Sequence, residues 1–119
     1  MPSEAPPIQS LAVVARLFPL ILSGEKTATI RFGEARIAPG PMRYVCAGDP
    51  DRTVIVEVVR CTDMPLSEAA RFLGREAEWP REVMLEGMRE HYPEIEWGDI
   101  VQVIEHRAPA GTPARGAGA

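Results

Sequence analysis

The sequence predicts an α+β domain: a small curled sheet or β-barrel of about five or six mostly antiparallel strands, with two or three helices to one side. Three observations predict it. Alternating or β-branched apolar segments recur from end to end. Short turns join most of them, whereas parallel strands need long crossovers. Helical spacing is confined to one short stretch early in the chain and two later ones. At 119 residues, 25% of them charged and 45% hydrophobic, the chain has the size and composition of one globular domain with its own core.

The elements follow in order. Ile8 to Val14 is an apolar stretch that reads as a first strand. Ala15 to Ser23 is apolar and stops at Gly24, and Pro19 inside it predicts a short or kinked helix. Thr27 to Phe32 alternates, with Ala28, Ile30 and Phe32 on one face and Thr27, Thr29 and Arg31 on the other, so one face is expected buried and one polar. Pro39-Gly40-Pro41 reads as a turn, Met42 to Ala47 as a strand, Gly48-Asp49-Pro50-Asp51 as a turn, and Thr53 to Cys61 as a β-branched strand that closes a hairpin. Ser67 is placed to cap a short helix that Gly74 stops. Pro80 to His91 has helical spacing at Val83, Met84, Gly87 and Met88, continued by Tyr92 on the same side, with Pro93 beyond it. Gly98-Asp99 turns the chain into a last strand, Ile100 to Glu105.

The working domain is expected over residues 8–107, between a loose N-terminal arm at 1–7 and a disordered Gly/Ala/Pro tail at 108–119. The start of the chain lacks a signal-peptide pattern, and no apolar run approaches the ~18 residues of a membrane span. A cytoplasmic protein that does not engage membrane is expected. Cys46 and Cys61 sit in strand-like surroundings and read as two buried thiols, although their number also permits one bridge. His91 and His106 are isolated, so no metal is expected, and nothing in the sequence calls for a cofactor.

Charge narrows the function. The net charge is −4; residues 1–61 carry +1 and residues 62–119 carry −5. Extended phosphate-backbone binding needs many basic contacts, so any nucleic-acid recognition must be local, in a pocket on the N-terminal half. Lys26 is the only lysine; the other twelve basic residues are arginine, and asparagine is absent. Lysine loses its proton when desolvated, whereas arginine does not.

Lys26 lies within Gly24-Glu25-Lys26-Thr27-Ala28-Thr29-Ile30-Arg31. A glycine releases the chain from a helix, an amine follows, and a strand then presents a hydroxyl and a guanidinium on one face. Such a segment suits a small anionic or carbonyl-bearing ligand. The eight residues closely resemble the signature of the ASCH domain, a PUA-like β-barrel family associated with RNA and nucleosides, and the order of elements agrees over roughly Leu17 to Glu105. Most members carry glutamate where this chain has Thr29. The G-x-K-T-x-T-x-R form is similar to that of bacterial N4-acetylcytidine amidohydrolases. The resemblance implies Lys26 as base, Thr29 as nucleophile and a later glutamate in support, for which Glu76 and Glu78 are the two candidates.

Such chemistry is physically sound. A threonine hydroxyl attacks an amide only once a base takes its proton. Burial or a neighbouring cation, here Arg31, makes lysine that base. Residues i and i+3 of a straight strand face opposite ways, so Lys26 must lie in the preceding turn and reach back. Structural roles compete. Lys26 suits a phosphate contact, Thr29 suits any strand, and Arg31 could pair with Glu57, itself either solvent-facing or a buried acid with a cationic partner; Gly24, Arg31 and Glu57 are the ligand-binding candidates. Trp79 and Trp97 are candidates for base stacking or for packing, while Met84 and Met88 read as core. The sequence thus points to a modified nucleoside or RNA bound at Gly24–Arg31, with hydrolysis of an N4-acyl amide as the enzymatic form. A non-catalytic RNA-binding or ligand-sensing module of the same fold is the alternative.

Overall fold

The structure, a computed structural model, describes residues 8–109. The expected arm at 1–7 and the tail from residue 110 lie outside the described residues. The elements are β1 (Gln9–Val13), a 3₁₀ turn (Ala15–Leu17), α1 (Phe18–Ser23), β2 (Ala28–Arg31), β3 (Gly40–Cys46), β4 (Asp49–Pro65), α2 (Leu66–Phe72), α3 (Arg81–Arg89) and β5 (Ile100–His106). The order matches the one the sequence predicts. The five strands form one mixed sheet, β1-β3-β4-β5-β2, curled into a half-barrel with the helices alongside. Only β1–β3 is parallel; the other three pairs are antiparallel.

The longest strand is the backbone of the curl. β4 runs for 17 residues, well past the expected Thr53–Cys61 at both ends. Its first half pairs with β3 and its second half with β5, and the register shifts between Val58 and Arg60 where the partner changes. A bulge adds twist and bends a strand, which is how one element serves both walls. The turn before it is tighter than predicted: Gly48, at φ 85°, carries the chain round, and Asp49 and Pro50 already belong to β4. Likewise Gly40 and Pro41 open β3 rather than forming a turn. Ser67 does not cap α2; Pro65 holds that position, and the first helical residues donate to Asp99 and Trp97 carbonyls instead.

Two apolar clusters hold the layers together. Phe18 and Ile21 of α1 pack with Leu11, Met42, Val56 and Ile104 inside the curl. Leu66 and Ala69 of α2, with Met84 of α3, pack on Val101 and Val103. β5 is therefore buried on both faces, as its central place demands. Each fully buried aliphatic or aromatic side chain contributes about 1.5–3 kcal/mol. Gln102 ties the loop after β2 to this wall: its Oε1 accepts the Ile37 N–H at 2.7 Å and its Nε2 donates to the Ala35 carbonyl at 3.3 Å. Cys46 and Cys61 are free thiols, only the first of them fully buried. Among the described residues no helix is long and apolar enough to cross a membrane.

β1 and β2 end the sheet and are not hydrogen-bonded to each other. The 3₁₀ turn and α1 join them. Pro19 sits in the first turn of α1, where its missing N–H costs nothing. Gly24 ends the helix in the left-handed conformation at φ 85°, its N–H donating to the Ile21 carbonyl. Lys26 N–H then donates back to the Leu20 carbonyl at 2.9 Å. This turn fixes where the lysine leaves the backbone. Gly24→Ala is expected to cost about 1–2 kcal/mol, because a side chain opposes the left-handed region. Urea denaturation of the variant measures it.

Candidate functional site

The edge strand β2 supplies the chemistry. Thr27 carbonyl accepts the His106 N–H, and the β2–β5 register continues from that pair. In an antiparallel ladder bonded and non-bonded pairs alternate. Ala28 and Ile30 therefore turn their N–H and C=O groups to the free edge, while Thr29 and Arg31 bond to β5. The free edge borders a cavity of about 570 Å³. The end of β1 and Leu17 line its second side, and α3 with Leu73 and Trp79 its third. The open seam of the half-barrel is thus a binding-sized hollow.

Lys26, Thr29 and Arg31 all line it. The supposed polar face of β2 is not a solvent face: Thr29 is only 6% exposed. Arg31 is held from two directions. Its Nε donates to Thr29 Oγ1 at 3.0 Å and its Nη1 lies 3.5 Å from Glu34 Oε2. The Tyr92 hydroxyl donates to the same carboxylate. Burial, followed by that carboxylate, pushes the Tyr92 phenol up to about 12, so it stays a donor.

Lys26 Nζ donates to the Ala28 carbonyl at 2.6 Å, using the free edge of β2. Burial, then the Arg31 cation, then the Arg75 cation lower its pKa from 10.5 to about 8. Among the described residues no hydrogen bond joins Lys26 Nζ to Thr29 Oγ1. The Thr29 hydroxyl lies against the Tyr44 phenol. Tyr44 and His106 continue the chain inside the core: the phenol oxygen is 2.9 Å from His106 Nε2, and His106 Nδ1 is 2.8 Å from the Arg107 carbonyl. A carbonyl only accepts, so Nδ1 carries the proton and Nε2 accepts from Tyr44. Burial holds His106 below its ordinary pKa, with Lys26 adding to the effect against the Arg107 carbonyl. Burial also pushes the Tyr44 phenol up. The network is neutral and directional, and it ends beside the threonine hydroxyl.

The neutral histidine makes stability pH-dependent. Below the ordinary histidine pKa of 6.5 the unfolded chain takes up a proton that the folded ring refuses. Stability is therefore lost as pH falls below about 6.5, at a limiting slope of about 1.4 kcal/mol per pH unit for one proton. Urea midpoints at pH 7.5 and 5.5, for the wild type and for His106→Gln, should show a smaller fall in the variant.

The remaining sequence candidates lie elsewhere. Gly24 shapes the turn. Glu57 is exposed on β4, opposite Pro41, away from the cavity lining and from Arg31, whose partner is Glu34. Glu76 and Glu78 are exposed and do not line the cavity. Glu78 is nevertheless connected to it: it pairs at 2.8 Å with Arg75, one of the cations acting on Lys26. Arg75 also lies 5.7 Å over Trp79. Met84 is core, while Met88 and Trp79 are half-buried at the cavity. Trp97 packs with α2 and α3. Among the described residues no cluster of three or more potential metal-ligating side chains occurs. Glu34, Tyr92, Tyr44 and His106 were not expected at the site. Two of them left a trace in the sequence: Tyr92, on the same side of the last helical stretch as Val83, Met84, Gly87 and Met88, and Tyr44, as the middle of the inward set Met42, Tyr44 and Cys46. Comparison with protein-family models, with curated proteins and with solved structures finds no match.

Proposed function

We propose that this cytoplasmic protein binds a modified nucleoside in the cavity at Gly24–Arg31 and hydrolyses an N4-acyl amide such as that of N4-acetylcytidine. One observation carries the reading: the only lysine lines the same cavity as a buried hydroxyl and a guanidinium, and its pKa is lowered to about 8. The ASCH-like motif supports it. With that pKa, roughly a tenth of the amine is neutral at pH 7. Ala28 holds one N–H, and the nitrogen lone pair remains for a proton.

The steps follow. Thr29 Oγ bonds to the acyl carbon while its proton passes to Lys26 Nζ. The bond from that carbon to the cytosine N4 breaks, and the lysine proton goes to the departing nitrogen. A water molecule then attacks the threonine ester, the amine takes its proton, and the carboxylic acid leaves as the threonine hydroxyl re-forms. The Arg31 Nε–H on Thr29 stabilises negative charge at that oxygen. Glu34 and Tyr92 are positioning residues, because they act by holding Arg31. Trp79 and the α3 methionines offer an apolar surface to the pyrimidine ring.

The test is incubation of the purified protein with N4-acetylcytidine, with release of cytidine followed by chromatography. Turnover supports the reading. No turnover and no nucleoside binding, together with salt-sensitive RNA binding, would replace it with a non-catalytic RNA-binding module. The acidic second half of the chain favours the small ligand over the polymer.

A further inference from the structure

The apolar wall of the cavity contains a residue that the fold itself does not require. Gly87 lies inside α3, where glycine is a poorer helix former than alanine. Glycine is ordinarily kept for a left-handed backbone or for close approach of another atom. Gly24 has the first reason, at φ 85°. Gly87 has neither: its φ is not positive, and a Cβ built on it meets nothing within 4 Å. The space that its missing side chain leaves belongs to the cavity, which Gly87 lines.

Its neighbours repeat the pattern. Val83, one turn earlier on the same face, also lines the cavity and is 53% exposed, a large share for an aliphatic side chain. Met84 and Met88 flank Gly87, and methionine adapts to ligands of varied shape. Polar groups lie at β2, where Lys26, Thr29 and Arg31 are gathered. The cavity is therefore two-ended, with Lys26, Thr29 and Arg31 gathered at the strand and a hollowed, mainly hydrocarbon surface at the helix, although His91 and Arg16 also line it. Its volume suits a small molecule.

We infer that α3 is hollowed at Gly87 to receive an apolar substituent of the ligand, a short alkyl chain or a ring joined to the carbonyl that β2 binds. This rests on the reading that the cavity takes a small amide, and it adds that acyl groups larger than acetyl are accommodated. Gly87 is then a specificity residue that sets how much hydrocarbon fits.

Simple amides test this without any nucleoside. Acetamide, butyramide and benzamide are titrated into the full chain while the Met84 and Met88 methyl signals are followed by NMR. Benzamide is expected to shift both signals and to bind more tightly than acetamide. Gly87→Ala is expected to raise the Tm and to weaken benzamide at least about fivefold, the loss of one well-packed contact. Gly87→Val should abolish benzamide binding. Unchanged benzamide affinity in Gly87→Ala, a lowered Tm in that variant, or methionine signals that ignore benzamide would overturn the inference. Should benzamide behave as expected while N4-acetylcytidine is neither bound nor hydrolysed, the nucleoside reading fails and the hollow stands.

Discussion

Lys26→Arg is expected to lower the hydrolysis of N4-acetylcytidine by about 10²–10⁴-fold, the range of one general base. Arginine retains the positive charge and can still reach the Ala28 carbonyl, but it has no neutral form at working pH. In the wild type the rate should rise about tenfold per pH unit below pH 8 and level off above it, because the neutral amine is the active form and its pKa is lowered to about 8. The same burial works against stability. Between pH 8 and 10.5 the unfolded chain binds a proton that the folded one lacks, so stability rises with pH across that window. At neutral pH the charged amine costs the fold about 3 kcal/mol. Lys26→Met, similar in length and without charge, should therefore be inactive yet more stable by an amount of that order. Urea denaturation beside the activity assay measures both. A Lys26→Met variant less stable than the wild type would show that the amine is a structural tie.

Thr29→Val is the second large effect. Valine is close in shape and is at home in a strand, so the backbone of β2 should persist. Loss of the nucleophile should reduce turnover on the order of 10⁴-fold or more. The stability cost is about 1–3 kcal/mol, because Arg31 Nε loses its acceptor and the Tyr44 phenol loses a neighbour in a buried network. Thr29→Ser restores the oxygen and should restore much of both. Steady-state rates of the two variants decide the point. Near-normal turnover in Thr29→Val would make water the nucleophile and leave Lys26 to activate it directly.

Much of this arrangement is legible in the sequence because it rests on local rules. The Gly24 stop, the polar register of Thr29 and Arg31, the hairpin before Cys61 and the spacing of α3 each depend on neighbours within a few residues. What was missed depends on distant ones. Glu34 is only three residues from Arg31, but the loop that carries it is tied at Ala35 and Ile37 by Gln102, on the last strand. Tyr44 and His106 meet across 62 positions. The 17-residue span of β4 shows the same limit, since Asp49-Pro50-Asp51 is a turn sequence by composition, yet it is carried into the strand by pairing near Cys46. Glu57 illustrates the converse. Its β-branched neighbours allowed either face, and only the register opposite Pro41 assigns it outward.

Because Lys26 is the only lysine in the chain, lysine labelled with ¹³C at Cε gives a single side-chain signal for the central claim. A pH titration of that signal by NMR should show a midpoint near 8, shifted down by burial and by the Arg31 and Arg75 cations. A midpoint at the ordinary lysine value of 10.5 would mean that the amine is solvated and always charged at neutral pH, and the site would have no base.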